Sequence, residues 1–216
     1  MAISVEVWGE YACFSRPEFK VERVSYDIMT PSAARGILES IFWHPGMRWK
    51  IDKIHVLAPI QFTNIRRNEV SAKVSARNVQ AAAKSGAPLY IDTSEHIQQR
   101  ATMALKNVRY IIHAHFDMTD KAAPGDNHGK FQDIIKRRVA KGQCHSMPYF
   151  GTREFAAFFA PVGEIPPCHE SLRGERDLGY MLYDMDYSAP DNIRPMFFRA
   201  VLKDGILNLD GVEVKG

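Results

Sequence analysis

A chain of 216 residues with 45% hydrophobic and 25% charged side chains has an ordinary globular balance and enough length for a sizeable core. No apolar run approaches the roughly 20 residues of a membrane span. The opening MAISVEVWGEYACF alternates where a signal peptide would be uniformly apolar, and Cys13, Cys144 and Cys168 are too few and too scattered for a disulfide framework or a zinc site. A reducing cytoplasm is the expected compartment, with no membrane partner and no cofactor.

In chain order, Ile3, Val5 and Val7 alternate with Ser4 and Glu6 and predict a strand that Gly9 breaks. The aromatics Tyr11, Phe14 and Phe19 follow, interleaved with Arg16 and Lys20. Thr30 as a cap, Pro31 at the first helical position, and Ala34, Ile37, Leu38, Ile41 and Phe42 at helical spacing predict a helix that Pro45 and Gly46 end. Residues 49–59 read as a second strand, so the first sixty residues open a βαβ-like unit. Residues 61–70 continue extended, and 72–84 are rich in Ala, Lys and Arg with few large apolar groups, as in an arm projecting from the sheet.

Core character returns over 104–118, where Val108, Tyr110, Ile112, Ala114 and Phe116 alternate with Arg109, Ile111, His113 and His115. A flexible loop is expected over 119–129, then a helix over 130–141 with Phe131, Ile134, Ile135 and Val139 on one face, stopped by Gly142. Short strands are predicted over 152–160, 178–187, 195–203 and 206–209, with Asp204-Gly205 as a hairpin turn. The fold class expected is α+β, with an N-terminal domain over 1–142 that carries the arm at about 62–102 and a small antiparallel β domain over 143–216.

The net charge of +3 conceals a segregation. Residues 64–109 hold eight cations against three acids, and 130–141 hold five against one, so the remainder is net acidic. Each run alone reads as a solvated face, but two together point to a polyanion, because phosphate neutralisation releases condensed counterions. Candidate RNA contacts are Arg66, Arg67, Lys73 and Arg77 on the arm, Lys20 and Arg23 near the first strand, and Arg137 and Arg138 on the basic helix. Tyr11 and Trp43 are candidates for stacking on bases.

Walker, dinucleotide, serine-hydrolase and zinc-protease motifs are absent. His113 and His115 share a strand face and could share a metal, but a plain interior or surface strand pair is the expected reading. RNA offers a metal-free route, since its 2′-hydroxyl can attack the adjacent phosphate and the protein need supply only a base, an acid and a cation. The corner Phe42-Trp43-His44 and the run Asn127-His128-Gly129-Lys130 place such groups at two loop–helix junctions.

Four blocks carry a family resemblance: VWGEYACFSRPEFKVERVSYDIMTPSAARGILESIFWHP, HVLAPIQFTNIRRNEV, GKFQDIIKRRVAKGQC and YFGTREFAAFFAP. They resemble the CRISPR-associated protein 5 family in its subtype I-C branch, across essentially the whole chain. The resemblance implies a RAMP-type protein with a ferredoxin-like, RRM-like N-terminal domain, in which the arm is a thumb-like insertion. It implies binding of CRISPR repeat RNA through its 5′ handle, and backbone and large subunits of a surveillance complex as partners. DNA is carried as a further partner. For this branch it also implies repeat-RNA endonuclease activity; the alternative is a non-catalytic subunit that holds the 5′ handle. The family's catalytic tyrosine falls on Phe42, and its lysine–histidine pair falls on Lys130 and Phe131. Lys130 is therefore expected to stabilise the charged phosphorane, with His44 or His128 in proton transfer.

Overall fold

The structure is a computed structural model that describes residues 2–19, 21–189 and 191–216. Lys20 lies outside the described residues. Strand β1 (Ile3–Ala12) runs through Gly9 rather than ending there. A side chain at Gly9 would meet the carbonyl of Ala156 and the ring of Phe150, each 2.8 Å from its Cβ, so this glycine marks a close approach of a later turn. A two-residue strand β2 (Arg23–Val24) precedes helix α1 (Pro31–Ile41), which is capped by the Thr30 hydroxyl.

Strand β3 (Met47–Val56) buries Met47, Trp49 and Ile51, then switches phase to bury Ile54 and Val56. The register shift between Ile51 and Lys53 is a bulge, which is why a simple period-two pattern fails across it. Next come β4 (Phe62–Val70), helix α2 (Ala76–Ser85) and the long β5 (Ile97–Met118). The first part of β5 pairs with β4, while its second part runs between β1 and β3. Helix α2 has no buried residue.

Helix α3 (His128–Lys141) begins at His128 because Asn127 caps it, its side chain accepting from Lys130 N; His128 is thus helical rather than in a loop. Gly142 closes it in the left-handed region at φ 63°. The strand expected over 152–160 is confined to β6 (Phe158–Pro161). The preceding stretch is a tight turn, in which Phe155 N donates to Thr152 O and Phe150 N to Phe155 O, so local bonds replace a ladder. Strands β7 (Glu175–Asp186), β8 (Arg194–Lys203), β9 (Ile206–Asn208) and β10 (Val214–Lys215) complete the chain. The β8–β9 turn at Asp204-Gly205 has positive φ at both residues, 47° and 73°.

The sheet path is β10-β8-β9-β3-β5-β1-β6, with β2 and β4 also paired to β5 and β7 to β8. Among the described residues the central pairings are antiparallel, with β5 between β1 and β3 and β6 returning to the free edge of β1. Pairing crosses the expected boundary at Gly142, since β6 joins β1 and β9 joins β3. Val5, Val7, Ile37, Leu38, Ile41, Ile54, Val56, Ile112, Phe116 and Ile135 are buried in one core, and Ile134 packs against it partly exposed. A two-pronged bond from Arg35 to Asp184, both contacts 2.8 Å, ties α1 to β7. No helix of the described residues is long and apolar enough to cross a membrane.

Candidate active site

Helix α1 ends where α3 begins in space. The terminal carbonyls of α1 are taken up by side chains: Ile41 O accepts from Arg138 Nη1 at 2.6 Å and Phe42 O from Trp49 Nε1 at 3.0 Å. The Arg138 guanidinium also lies over the Phe42 ring, 5.2 Å from its centroid. Arg138 is thus held by the end of α1 in this arrangement, since helix-end carbonyls attract a cation. Phe42 and Phe131 are buried and pack together with ring centroids 5.7 Å apart. His44 covers Phe131 at 4.9 Å, and His128 stacks on Phe116 at 5.1 Å with the rings 25° apart. Trp43, beside them, is 59% exposed.

The 44–46 turn and the 119–126 loop lock together above this aromatic floor. Thr119 Oγ1 donates to Pro45 O at 2.6 Å and Thr119 N to Gly46 O at 3.0 Å. A Cβ on Gly46 would come within 2.8 Å of Ala122 Cα, so the loop could not sit so close against another residue. Gly46 N donates to His44 Nδ1 at 3.0 Å, which assigns the ring proton of neutral His44 to Nε2. That Nε2 faces Asp126 Oδ2 at 3.8 Å. Asp126 Oδ1 accepts from Lys130 Nζ at 2.7 Å, and Oδ2 from Ala123 N at 2.9 Å. The Lys130 bond, followed by the Ala123 N–H, holds the Asp126 carboxyl below its ordinary range.

The sequence candidates thus separate. Lys130, His44, His128, Phe42 and Phe131 converge at one place, drawn from both ends of the 42–131 span. Asp126 was not foreseen there; its only sequence signal is the four-residue spacing to Lys130 across a helix start. His113 and His115 go elsewhere: His113 Nδ1 meets Ser4 Oγ at 2.7 Å, and His115 Nδ1 meets Asp52 Oδ1 at 2.6 Å. The Asp52 carboxylate comes from β3, invisible in the sequence around His115. Among the described residues no three His, Cys, Asp or Glu side chains are grouped to hold a metal.

Strand geometry divides the candidate RNA contacts of the arm, Arg66, Arg67, Lys73 and Arg77. Arg66 and Arg67 are neighbours on β4 and point to opposite faces, Arg66 exposed and Arg67 turned inward. Arg67 bonds Glu154 and the buried Thr102, while Arg23 pairs with Glu69 at 3.4 Å and Glu154 at 3.9 Å. Glu154 lies in the segment YFGTREFAAFFAP, so these cations clamp the β4–β5 pair to that turn. Lys73, Arg77 and Arg137 are exposed. Tyr11 is partly covered and packs on Phe155 at 5.9 Å.

The profile of the family described as CRISPR-associated protein (Cas_Cas5), Cas5d, matches residues 2–210. The chain belongs to the Cas5d family of CRISPR-associated proteins. Among its Cas5d relatives, the CRISPR pre-crRNA endoribonuclease Cas5d of Mannheimia succiniciproducens is 49% identical over 213 residues, covering 96% of this chain and 94% of that one. The CRISPR pre-crRNA endoribonuclease Cas5d of Thermus thermophilus is 40% identical over 225 residues, covering 96% and 90%. A crystal structure of a CRISPR-associated protein has the same fold, with a TM-score of 0.71 at 20% identity over 100% of this chain and 97% of the other. Within this Cas5d chain, Phe42 and Phe131 are in mutual contact.

Proposed function

We propose that this chain is an endoribonuclease of CRISPR repeat RNA that cuts without a metal by 2′-hydroxyl attack. It then stays on the 5′ handle as a subunit of a type I-C surveillance complex, in the cytoplasm, beside backbone and large subunits, with DNA a further partner of the assembly. Relatives named as pre-crRNA endoribonucleases support the reaction class. The observation that carries the site is the convergence of Lys130 and His44 on one carboxylate. Two donors that share one carboxylate are close enough to meet one phosphate.

In this reading the 2′-oxygen bonds to phosphorus, its proton passes to a base, and the 5′-oxygen leaves and takes up a proton. The products are a 2′,3′-cyclic phosphate and a 5′-hydroxyl. Lys130 and the His44 Nε2–H face the phosphorane charge. His44 Nδ1 is engaged by Gly46 N, so His128 suits proton transfer better: it is exposed, and among the described residues no hydrogen bond occupies its ring. The opening turn of α3 adds a dipole that favours an anion.

The βαβ–βαβ order of β1, α1, β3, β5, α3 and β6 supports a ferredoxin-like unit whose seam falls after Pro161, leaving β7 to β10 as the small second part. Residues 62–102 serve as its basic arm, with Arg66, Lys73 and Arg77 toward phosphate and Trp43 and Tyr11 toward bases. Arg137, on the exposed side of α3, extends the cationic surface.

The deciding experiment uses a labelled type I-C repeat hairpin in EDTA, with and without a single 2′-deoxy nucleotide before the scissile bond. Cutting of the all-RNA strand alone, leaving a cyclic phosphate, is expected. Cutting of the deoxy strand would make water the nucleophile. Tight binding with no cutting of either strand would favour the non-catalytic handle-binding subunit, the reading that Phe42 and Phe131, which lack a titratable proton, would suit.

A further inference from the structure

A carboxylate is an unexpected neighbour for groups that must meet phosphate. Asp126 precedes the cap of α3, and its side chain is only 5% exposed, whereas Lys130 is 51% exposed and His44 33%. Its two oxygens do different things. Oδ1 takes the Lys130 ammonium; Oδ2 takes the Ala123 N–H and faces His44 Nε2. Each neighbour is also fixed from behind, His44 by Gly46 N and the start of α3 by Asn127, whose side chain accepts from Lys130 N at 2.9 Å. A lysine on a flexible four-carbon stem and a histidine on a turn would otherwise sample many orientations, and ordering them after substrate binds would cost rate.

We propose that Asp126 is the positioning residue of the cleavage site, a largely buried carboxylate that holds Lys130 and His44 at the spacing needed by one scissile phosphate. This inference rests on the endoribonuclease reading above. Asp126 touches neither the nucleophile nor the leaving group. Because it is an anion beside an anionic substrate, it favours cleavage through geometry while opposing phosphate binding through charge. A carboxylate that only braced the loop would oppose phosphate binding without favouring cleavage through geometry.

The test is Asp126→Asn in the full-length protein. The amide oxygen can still accept from Ala123 N, which keeps the loop, but the NH2 in place of Oδ1 cannot accept from Lys130, and the negative charge that draws both Lys130 and His44 is gone. Single-turnover cleavage of the repeat hairpin is expected to fall about 10- to 100-fold, the scale of a misplaced reacting group. RNA affinity should stay unchanged or tighten, and the melting temperature should stay near wild type. The loss should also be non-additive: Lys130→Ala or His44→Ala should cost far less in the Asp126→Asn background than alone.

Asp126→Asn that cuts within about twofold of wild type overturns the inference. So does a loss fully additive with Lys130→Ala and His44→Ala, or one matched by a lower melting temperature, since each marks a bracing role only. Asp126→Ala, which also removes the Ala123 bond, measures that bracing term separately. Wild type that cuts while Asp126→Asn also cuts leaves the proposed function standing without this inference. Wild type that does not cut overturns both.

Discussion

Phe42 closes α1, Phe131 lies one turn into α3, and their rings meet at 5.7 Å under His44. The ends of the two helices therefore touch through these rings. A polar group at either position alone would be buried against an aromatic ring with no partner.

Restoring one polar group should therefore destabilise without activating. Phe131→His, at a position only 1% exposed, is expected to cost about 1–3 kcal/mol, read by urea denaturation, with no gain in cleavage. Phe42→Tyr with Phe131→His should cost less than the sum of the two single changes, because hydroxyl and imidazole can bond each other. A cost equal to that sum would show that the pair does not communicate.

The opposite faces of Arg66 and Arg67 separate two roles that one double substitution would mix. Arg66→Ala should weaken repeat-RNA binding and lower the salt slope by about one unit, with stability unchanged. Arg67→Ala removes the bonds to Glu154 and Thr102 and is expected to cost stability, between the ~1 kcal/mol of an exposed ion pair and the ~3 kcal/mol of a buried one. Salt titrations of RNA affinity beside chemical denaturation read both. A flat response in both assays for Arg67→Ala would remove the clamp.

His113 gives a pH signature. Burial, with the His55 ring 4.7 Å away and Lys53 nearby, pushes its imidazole down to about 4. In the unfolded chain it titrates near 6.5, so above that pH both states are neutral and nothing is gained or lost. As pH falls from 6.5 to about 4, the unfolded chain takes up a proton that the folded chain refuses, and stability drops by at most ~3 kcal/mol. His113→Gln, which can keep a bond to Ser4, should flatten that drop relative to wild type in denaturation curves at pH 7.5, 6 and 4.5. Parallel curves for the two proteins would show that His113 does not resist protonation.

Much of the fold was legible in the chain. Alternation at Ile3, Val5 and Val7, the Thr30-Pro31 start, and the apolar face of Phe131, Ile135 and Val139 are local patterns, and period and capping chemistry are local causes. Three features escaped, two because they depend on a distant neighbour and one because local bonds replace a ladder. Gly9 reads as a break until Phe150 is seen above it, β3 loses its alternation at a bulge, and 152–160 is mostly a turn whose bonds close on themselves.

The site divides likewise. The sequence by itself determined the residue types: a lysine opening a basic helix, histidines at two junctions, and phenylalanines at the positions expected to be tyrosine and histidine. Only the tertiary structure decided which of them meet. It turned Arg67 inward while leaving Arg66 in solvent, bound Arg138 to the end of α1, and set Asp126 between Lys130 and His44. The reason is physical: a side chain's chemistry is carried by its own residue, but its partner is chosen by packing, and packing brings together residues as far apart as 42 and 131.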